Sequence, residues 1–164
     1  MVSIRSSDAE RLAVKLCCPE DAAVVYELTQ AAYAPYADFL EPPSGVTRES
    51  KESVRGDLEA DGGAIASLGK LPVGCLRFKI EEEHLHVRRV AVLPEFQGKG
   101  VGTRLMLWVH DHARSLGLDE VRLGVRRQLP RNQAFYKRLG YKIVGRHLHP
   151  GQRRVFWYEM SLSL

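Results

Sequence analysis

The sequence predicts a mixed α/β fold: a mostly antiparallel sheet of about seven strands, with one parallel crossover, flanked by about four helices. Its 164 residues suit a single domain. A composition of 45% hydrophobic and 27% charged residues is that of a globular chain that needs no disulfide or metal to fold. Segments of period-two and helical periodicity also alternate along the chain. We expect one domain over residues 1–164, with residues 1–10 as a flexible N-terminal extension.

The first half of the chain is predicted to contain four strands and two helices. Alternation of apolar residues predicts strand 12–16, and helical spacing of apolar residues predicts helix 20–32. Residues 33–46 hold three aromatics and three prolines, which predicts an aromatic loop. A short helix should follow from residue 47 or 48 to residue 60. Strand-like runs then predict an antiparallel meander of strands 64–68, 73–80 and 84–93.

The second half is predicted to supply the parallel crossover. Apolar side chains at helical spacing predict helix 101–116, which Gly117 can end. Strand 121–125 follows, so the order strand, glycine turn, helix, strand implies a right-handed crossover between parallel strands. Pro130 suits the start of a helix running to residue 139, with Gly140 as its end. Strands 141–148 and 155–162 should close the sheet as an antiparallel pair.

Charge is unevenly distributed along the chain. The net charge is +4, but residues 121–164 carry ten basic side chains and one acidic one, Glu159. This segment is either a solvated basic face or a site for a polyanion, such as a nucleic acid or a phosphorylated small molecule.

Three cysteines and a lack of long apolar runs bear on location. Cys17, Cys18 and Cys75 form no C-x-x-C pair, which argues against a disulfide framework or a zinc site and favours a reducing cytoplasm. No apolar run approaches the roughly 20 residues that a membrane-spanning helix needs.

The three His-x-His pairs come with no nearby acidic or thiol ligand fixed by the sequence, so we expect no metal site.

The densest chemical signal is the segment Gln97-Gly98-Lys99-Gly100-Val101-Gly102-Thr103, between a predicted strand and the predicted long helix. Alternate glycines let several main-chain N–H groups converge at the start of a helix, a geometry that binds phosphate oxygens. The segment lacks the Lys-Ser/Thr ending of a Walker A loop and the third glycine of G-x-G-x-x-G. Taken alone, it also suits a purely structural tight turn.

Two segments together resemble the GNAT superfamily of acyl-CoA N-acyltransferases. The first is Val90-Ala91-Val92-Leu93-Pro94-Glu95-Phe96 followed by the glycine segment, and the second comprises Asn132, Phe135-Tyr136 and Leu139-Gly140-Tyr141. The resemblance implies acetyl-CoA as co-substrate, with its pyrophosphate on the amides of residues 97–103 and its pantetheine arm along the main chain of residues 90–92. The cofactor-binding residues it implies are Val90, Ala91, Val92, Gln97, Gly98, Lys99, Gly100, Val101, Gly102, Thr103, Asn132, Phe135 and Lys137.

One position departs from the family pattern. In many family members the Asn lies seven positions before the Tyr, whereas Asn132 lies four before Tyr136 and position 129 is Leu. Asn132 is therefore either a coenzyme A contact or an ordinary helix N-cap.

Acetyl transfer to an amine requires a base and an acid. An amine with a pKa of about 10.4 must lose a proton before it attacks, which suits histidine, and the leaving thiolate is best protonated by a phenol with a pKa of about 10. The resemblance implies Tyr136 as the acid, and alignment with relatives that carry a base on this strand implies His84 or His86. The alternatives are a packed tyrosine, sheet-edge histidines, and a reaction that uses bound water or no dedicated base.

The leading hypothesis is an N-acetyltransferase that moves an acetyl group from acetyl-CoA directly to a primary amine in a ternary complex. The acceptor is a small molecule or a peptide, and the resemblance places the acceptor-binding connection at residues 33–46 and admits a homodimer. A non-catalytic acyl-CoA sensor of the same fold is the first rival. Nucleic-acid binding by residues 121–164 ranks last, because no aromatic-basic RNA motif appears.

Overall fold

The computed structural model describes residues 11–148, 150–151 and 153–164. The predicted extension, residues 1–10, lies outside them. In chain order the strands and helices are β1 (Leu12–Leu16), α1 (Ala22–Tyr33), α2 (Lys51–Ala60), β2 (Gly63–Leu68), β3 (Leu71–Ile80), β4 (Leu85–Val92), α3 (Val101–Ser115), β5 (Glu120–Arg126), α4 (Pro130–Arg138), β6 (Lys142–Leu148) and β7 (Val155–Ser163).

The seven strands form one sheet in the order β1-β2-β3-β4-β5-β7-β6. β4 and β5 are parallel, with Leu85 opposite Val121, whereas β5 with β7 and β6 with β7 are antiparallel. The crossover through α3 is the one that the sequence predicts. The predicted fold class, a mixed α/β sheet of seven strands with one parallel pair and four helices, is confirmed.

The structure differs from the sequence prediction at the start of α2 and within the aromatic loop. The helix expected from residue 47 or 48 begins at Lys51, because the Ser50 hydroxyl caps it by accepting a hydrogen bond from the Ser53 amide. The residues before it, Gly45–Arg48, form a 3-10 turn instead. The predicted aromatic loop also contains a 3-10 turn, Ala34–Tyr36.

The chain divides into two compact units, which among the described residues are 11–79 with 89–109, and 80–88 with 110–164. We call them the first and second unit. The assignment of all 164 residues to one domain stays a prediction.

The core of the first unit includes α1, α2, β2 and β3. Val25, Val54, Ile65 and Cys75 are buried in one apolar cluster. The Cys75 thiol lies 3.6 Å from the Thr29 hydroxyl, and burial raises its pKa to about 11. In the same unit the Phe78 and Trp108 rings lie 6.4 Å apart.

A charged network crosses the first unit below its surface. Arg77 on β3 has a side chain that is 1% exposed, and it donates from Nη2 to Glu49 over 2.7 Å and from Nη1 to Asp57 over 2.9 Å. The second carboxylate oxygen of Glu49 accepts from Arg89 Nε on β4, also at 2.7 Å. The two positive and two negative groups compensate one another, which a buried guanidinium requires.

The core of the second unit includes β5 and β7. Val121, Leu123 and Met160 are buried on one face of the sheet. On the opposite face the Trp157 indole stacks on the His147 ring, with centroids 3.9 Å apart, and covers Gly124, where an added Cβ would lie 3.1 Å from the indole. The His110 Nε2 and Tyr141 hydroxyl form a buried hydrogen bond of 2.8 Å.

Candidate active site

The turn between β4 and α3 is open on its outer side. Gly98 and Gly100 adopt left-handed φ values of +72° and +87°, which glycine tolerates without cost. A Cβ added at either position would have no atom of the described residues within 4 Å. The two glycines therefore let the chain turn sharply and leave space in front of its main chain.

Helix α3 begins directly after this turn. Its first helical hydrogen bond runs from the Arg104 amide to the Gly100 carbonyl over 3.0 Å. The amides of Val101, Gly102 and Thr103 precede that bond, and the first amides of a helix have no acceptor within the helix. The positive end of the helix dipole and these amides together suit an anion, and the binding of a diphosphate here, which the resemblance implies, stays a prediction.

Gln97 already has partners at the start of the turn. Its main-chain amide donates to the Pro94 carbonyl over 3.3 Å, and its side-chain Nε2 donates to the Val92 carbonyl over 3.1 Å. Gln97 therefore closes the turn against β4, and its role in phosphate binding stays a prediction, as does that of Lys99.

Strand β4 departs from regular strand conformation in its middle. The register of β4 with β5 covers Leu85 to Val87, and Arg89 follows with a φ of +55°. It is the non-glycine residue with positive φ in the described part of the chain, and such a residue is uncommon and marks a turn, strain or function. The sequence gives no indication of this positive φ, because arginine has no preference for the left-handed conformation.

The carbonyls of β4 beyond this point are held by side chains. The Val90 carbonyl accepts from the Tyr33 hydroxyl over 3.2 Å, and the Val92 carbonyl accepts from Gln97. Burial raises the pKa of Tyr33 to about 12, which keeps its proton in place as a donor. A carbonyl oxygen has two lone pairs, so each of these carbonyls can still accept a second hydrogen bond. The Tyr33 contact is one that sequence reasoning missed.

The predicted base candidates lie at the start of β4, in the second unit. His84 precedes the strand and His86 lies within it, with ring centroids 6.3 Å apart. Burial, and then the neighbouring His84, lower the pKa of His86. A neutral imidazole at His86 is therefore the form that prevails at neutral pH, and it can accept a proton.

The predicted acid lies on α4, also in the second unit. Tyr136 is buried, and its ring packs edge-on against Phe135 at 5.0 Å and Tyr141 at 5.8 Å. Phe135 is half-buried and Lys137 is exposed. The aromatic cluster fixes the Tyr136 ring relative to the helix. The predicted site residues thus fall in two groups, one in each unit.

The position of Asn132 in α4 excludes one of the two interpretations of this residue, that of a helix N-cap. The N-cap of α4 is Leu129, Pro130 is the first helical residue, and the Asn132 amide donates to the Leu129 carbonyl over 3.1 Å. Asn132 therefore lies inside the first turn, and the N-cap interpretation is wrong. A coenzyme A contact from Asn132 stays a prediction.

Other kinds of site find little support in the described residues. Within residues 11–148, 150–151 and 153–164, no three His, Cys, Asp or Glu side chains are grouped as a metal ion would require. In the same part of the chain every helix is too short or too polar to cross a bilayer.

The seven-stranded sheet with one parallel pair, four helices and a glycine turn between β4 and α3 is the fold of the GNAT class of acetyltransferases. The chain belongs to the GNAT family of acetyltransferases, whose family model matches residues 25–141. A comparison with functionally curated proteins finds no match.

Solved structures of acetyltransferases share the fold. PaiA N-acetyltransferase from Thermoplasma acidophilum, in complex with coenzyme A, superimposes with a TM-score of 0.77 at 20% identity, covering 93% of this chain and 99% of its own. Ribosomal-protein-S18-alanine N-acetyltransferase from Escherichia coli gives 0.74 at 19% identity, covering 93% of each chain. Ard1 from Thermoplasma volcanium gives 0.76 at 18% identity, covering 94% of this chain and 98% of its own.

Proposed function

We propose that the protein is an N-acetyltransferase that moves an acetyl group from acetyl-CoA to a primary amine. The observation that carries this proposal is the open turn at Gly98 and Gly100, which leads into the first amides of α3 in a chain of the GNAT family. The resemblance to PaiA, whose structure contains coenzyme A, supports an acyl-CoA donor.

The acceptor must reach the thioester as a free amine. A primary amine with a pKa of about 10.4 is mostly protonated at neutral pH, so a base that accepts the proton favours attack. His86 suits this role because burial keeps it neutral, and His84 is the second candidate. The amine nitrogen then forms the amide bond as the carbon–sulfur bond breaks.

The departing thiolate takes up a proton from an acid. A thiol has a pKa of about 8.5, so a phenol can protonate its thiolate while keeping its own proton before the reaction. Tyr136 is the acid that we propose, with its ring fixed by Phe135 and Tyr141.

The state of the cysteines supports direct transfer without an acetyl-enzyme. Burial raises the pKa of Cys17 to about 12 and that of Cys75 to about 11. Cys18 is exposed, but its hydrogen bond to Asp21 also raises its pKa. A nucleophilic cysteine must be a thiolate, and none of the three is activated in this way. Three free thiols also suit a reducing compartment, and we propose the cytoplasm. A homodimer stays a prediction.

The test measures acetyl-CoA consumption with a panel of small amines and peptides. Chromatography of coenzyme A and acetyl-CoA avoids thiol reagents, which would also react with Cys18. We expect Tyr136→Phe to lower kcat by about 10²-fold while acetyl-CoA affinity holds, and Tyr26→Phe on α1 to serve as a control with unchanged kcat.

Three outcomes separate the possibilities. Unchanged turnover in Tyr136→Phe would remove this residue from the mechanism but leave the activity. Binding of acetyl-CoA without turnover of any amine would identify a sensor. Failure to bind acetyl-CoA in calorimetry would refute the proposal itself.

A further inference from the structure

A cleft of about 260 Å³ opens in the first unit beside the C-terminal end of α1. Its walls are Tyr33 and the 3-10 turn after α1 on one side, and residues 43–47 on the other. Tyr36 packs edge-on against Tyr33 at 5.8 Å, which fixes one aromatic wall.

The lining of this cleft is uncharged. None of the residues that line it is acidic or basic. Two of its polar groups are engaged within the protein, since Gln30 Nε2 donates to the Val46 carbonyl over 2.8 Å and Thr47 Oγ1 donates to the Ser44 carbonyl over 2.9 Å. An ammonium group placed here would find no carboxylate among the lining residues.

The size of the cleft limits what it can hold. Pockets for whole drug-sized ligands measure about 300–1,000 Å³, whereas an apolar cavity of about 150 Å³ holds one benzene molecule. A cleft of about 260 Å³ therefore suits one aromatic ring or a short alkyl chain.

Tyr33 connects this cleft to β4. The residue lines the cleft, and its hydroxyl donates to the Val90 carbonyl. A ligand in the cleft therefore lies against the side chain that contacts the strand on which the pantetheine arm is expected.

We propose that the cleft binds an uncharged apolar group of the acceptor, so that the preferred substrate is a primary amine with an alkyl or aryl tail. This inference rests on the proposed acetyltransferase function and names the acceptor class for it. Diamines and other acceptors with a second charge at the far end are disfavoured, because the lining offers that charge no partner.

The experiment compares acceptors that differ only in the tail. The probes are the n-alkylamines from ethylamine to hexylamine, with 1,6-diaminohexane as the charged counterpart of hexylamine. We expect kcat/KM to rise by up to about fourfold for each added methylene. We also expect hexylamine to exceed 1,6-diaminohexane by at least about tenfold, because burial of an unpaired ammonium is costly.

Two variants localise the effect. Ala37→Trp fills the cleft and should lower kcat/KM for hexylamine by about tenfold while the KM for acetyl-CoA holds. Ala31→Trp introduces the same side chain at an exposed position of α1 that does not line the cleft, and it should behave as the wild type. The wild-type series remains decisive even if Ala37→Trp does not fold.

The outcomes distinguish a failure of this inference from a failure of the proposed acetyltransferase function. Turnover that does not change with chain length, or a diamine that matches hexylamine, would overturn the apolar cleft while the acetyltransferase activity stands. An equal loss in Ala31→Trp and Ala37→Trp would also overturn it. Absence of turnover with every alkylamine, while a peptide is acetylated, would also overturn the cleft; absence of turnover with every amine and every peptide would refute the proposed function and the cleft with it.

Discussion

Glu49→Gln should strongly destabilise the protein. The substitution keeps the size of the side chain but removes a charge that bridges Arg77 and Arg89. The four-membered network then carries a net positive charge, and the Arg77 guanidinium, 1% exposed, retains Asp57 as its remaining carboxylate partner in the network.

The size of the effect follows from the two bonds that Glu49 accepts. Each is charge-assisted and 2.7 Å long, and a hydrogen bond to a charged group contributes about 1.5–3 kcal/mol. Removal of one partner from a buried ion pair costs about 3–5 kcal/mol. Since the Glu49 side chain is 12% exposed, little solvent screening applies, and we expect a loss of about 3 kcal/mol in the free energy of unfolding.

Asp57→Asn provides the matched control. Asp57 contacts the same guanidinium, but its side chain is 32% exposed, so water screens its charge and we expect a loss of about 1 kcal/mol. Urea unfolding followed by circular dichroism measures both variants. Equal losses, or a Glu49→Gln loss below that of Asp57→Asn, would refute the argument that burial sets the strength of this network.

Two further predictions concern pH and thiol reactivity. Burial lowers the pKa of His110 below its usual value of 6.5, so the unfolded chain binds the proton more readily, and the free energy of unfolding should fall as the pH drops below that value. His110→Gln should flatten this dependence between about pH 7 and about pH 5, and an unchanged slope would assign it to other groups. Of the three cysteines, Cys18 alone is exposed, so a thiol reagent should modify one group in the native protein and all three in urea; rapid reaction of Cys17 or Cys75 would contradict their burial.

Most of the fold could be predicted, because residues close together in the sequence determine where most of its strands and helices lie. The apolar spacing of α3 and the alternation in β5 fix the crossover, and glycine at 117 and 140 adopts the left-handed φ expected after a helix. The start of α2 differs from the predicted residue 47 or 48, because the Ser50 hydroxyl accepts a hydrogen bond from the Ser53 amide and caps the helix at Lys51.

The site was predicted less completely, because its details depend on contacts between distant residues. The bond from Tyr33 to Val90 joins positions 57 apart in sequence, and Glu49 meets Arg77 across 28 positions. Within β3 an arginine in an apolar run gives no hint that it is buried, since its partners come from other elements. The left-handed conformation of Arg89 is likewise imposed by its surroundings and not by its own preference.

The positions of the two tryptophans have a practical consequence. Trp108 lies beside Phe78 in the first unit, and Trp157 lies on His147 in the second, so each unit holds one of the two indoles in the sequence. Replacement of either by phenylalanine leaves an intrinsic fluorophore that reports on one half of the chain. Emission from the two single-tryptophan proteins would therefore reveal whether the halves melt as one cooperative block or in succession.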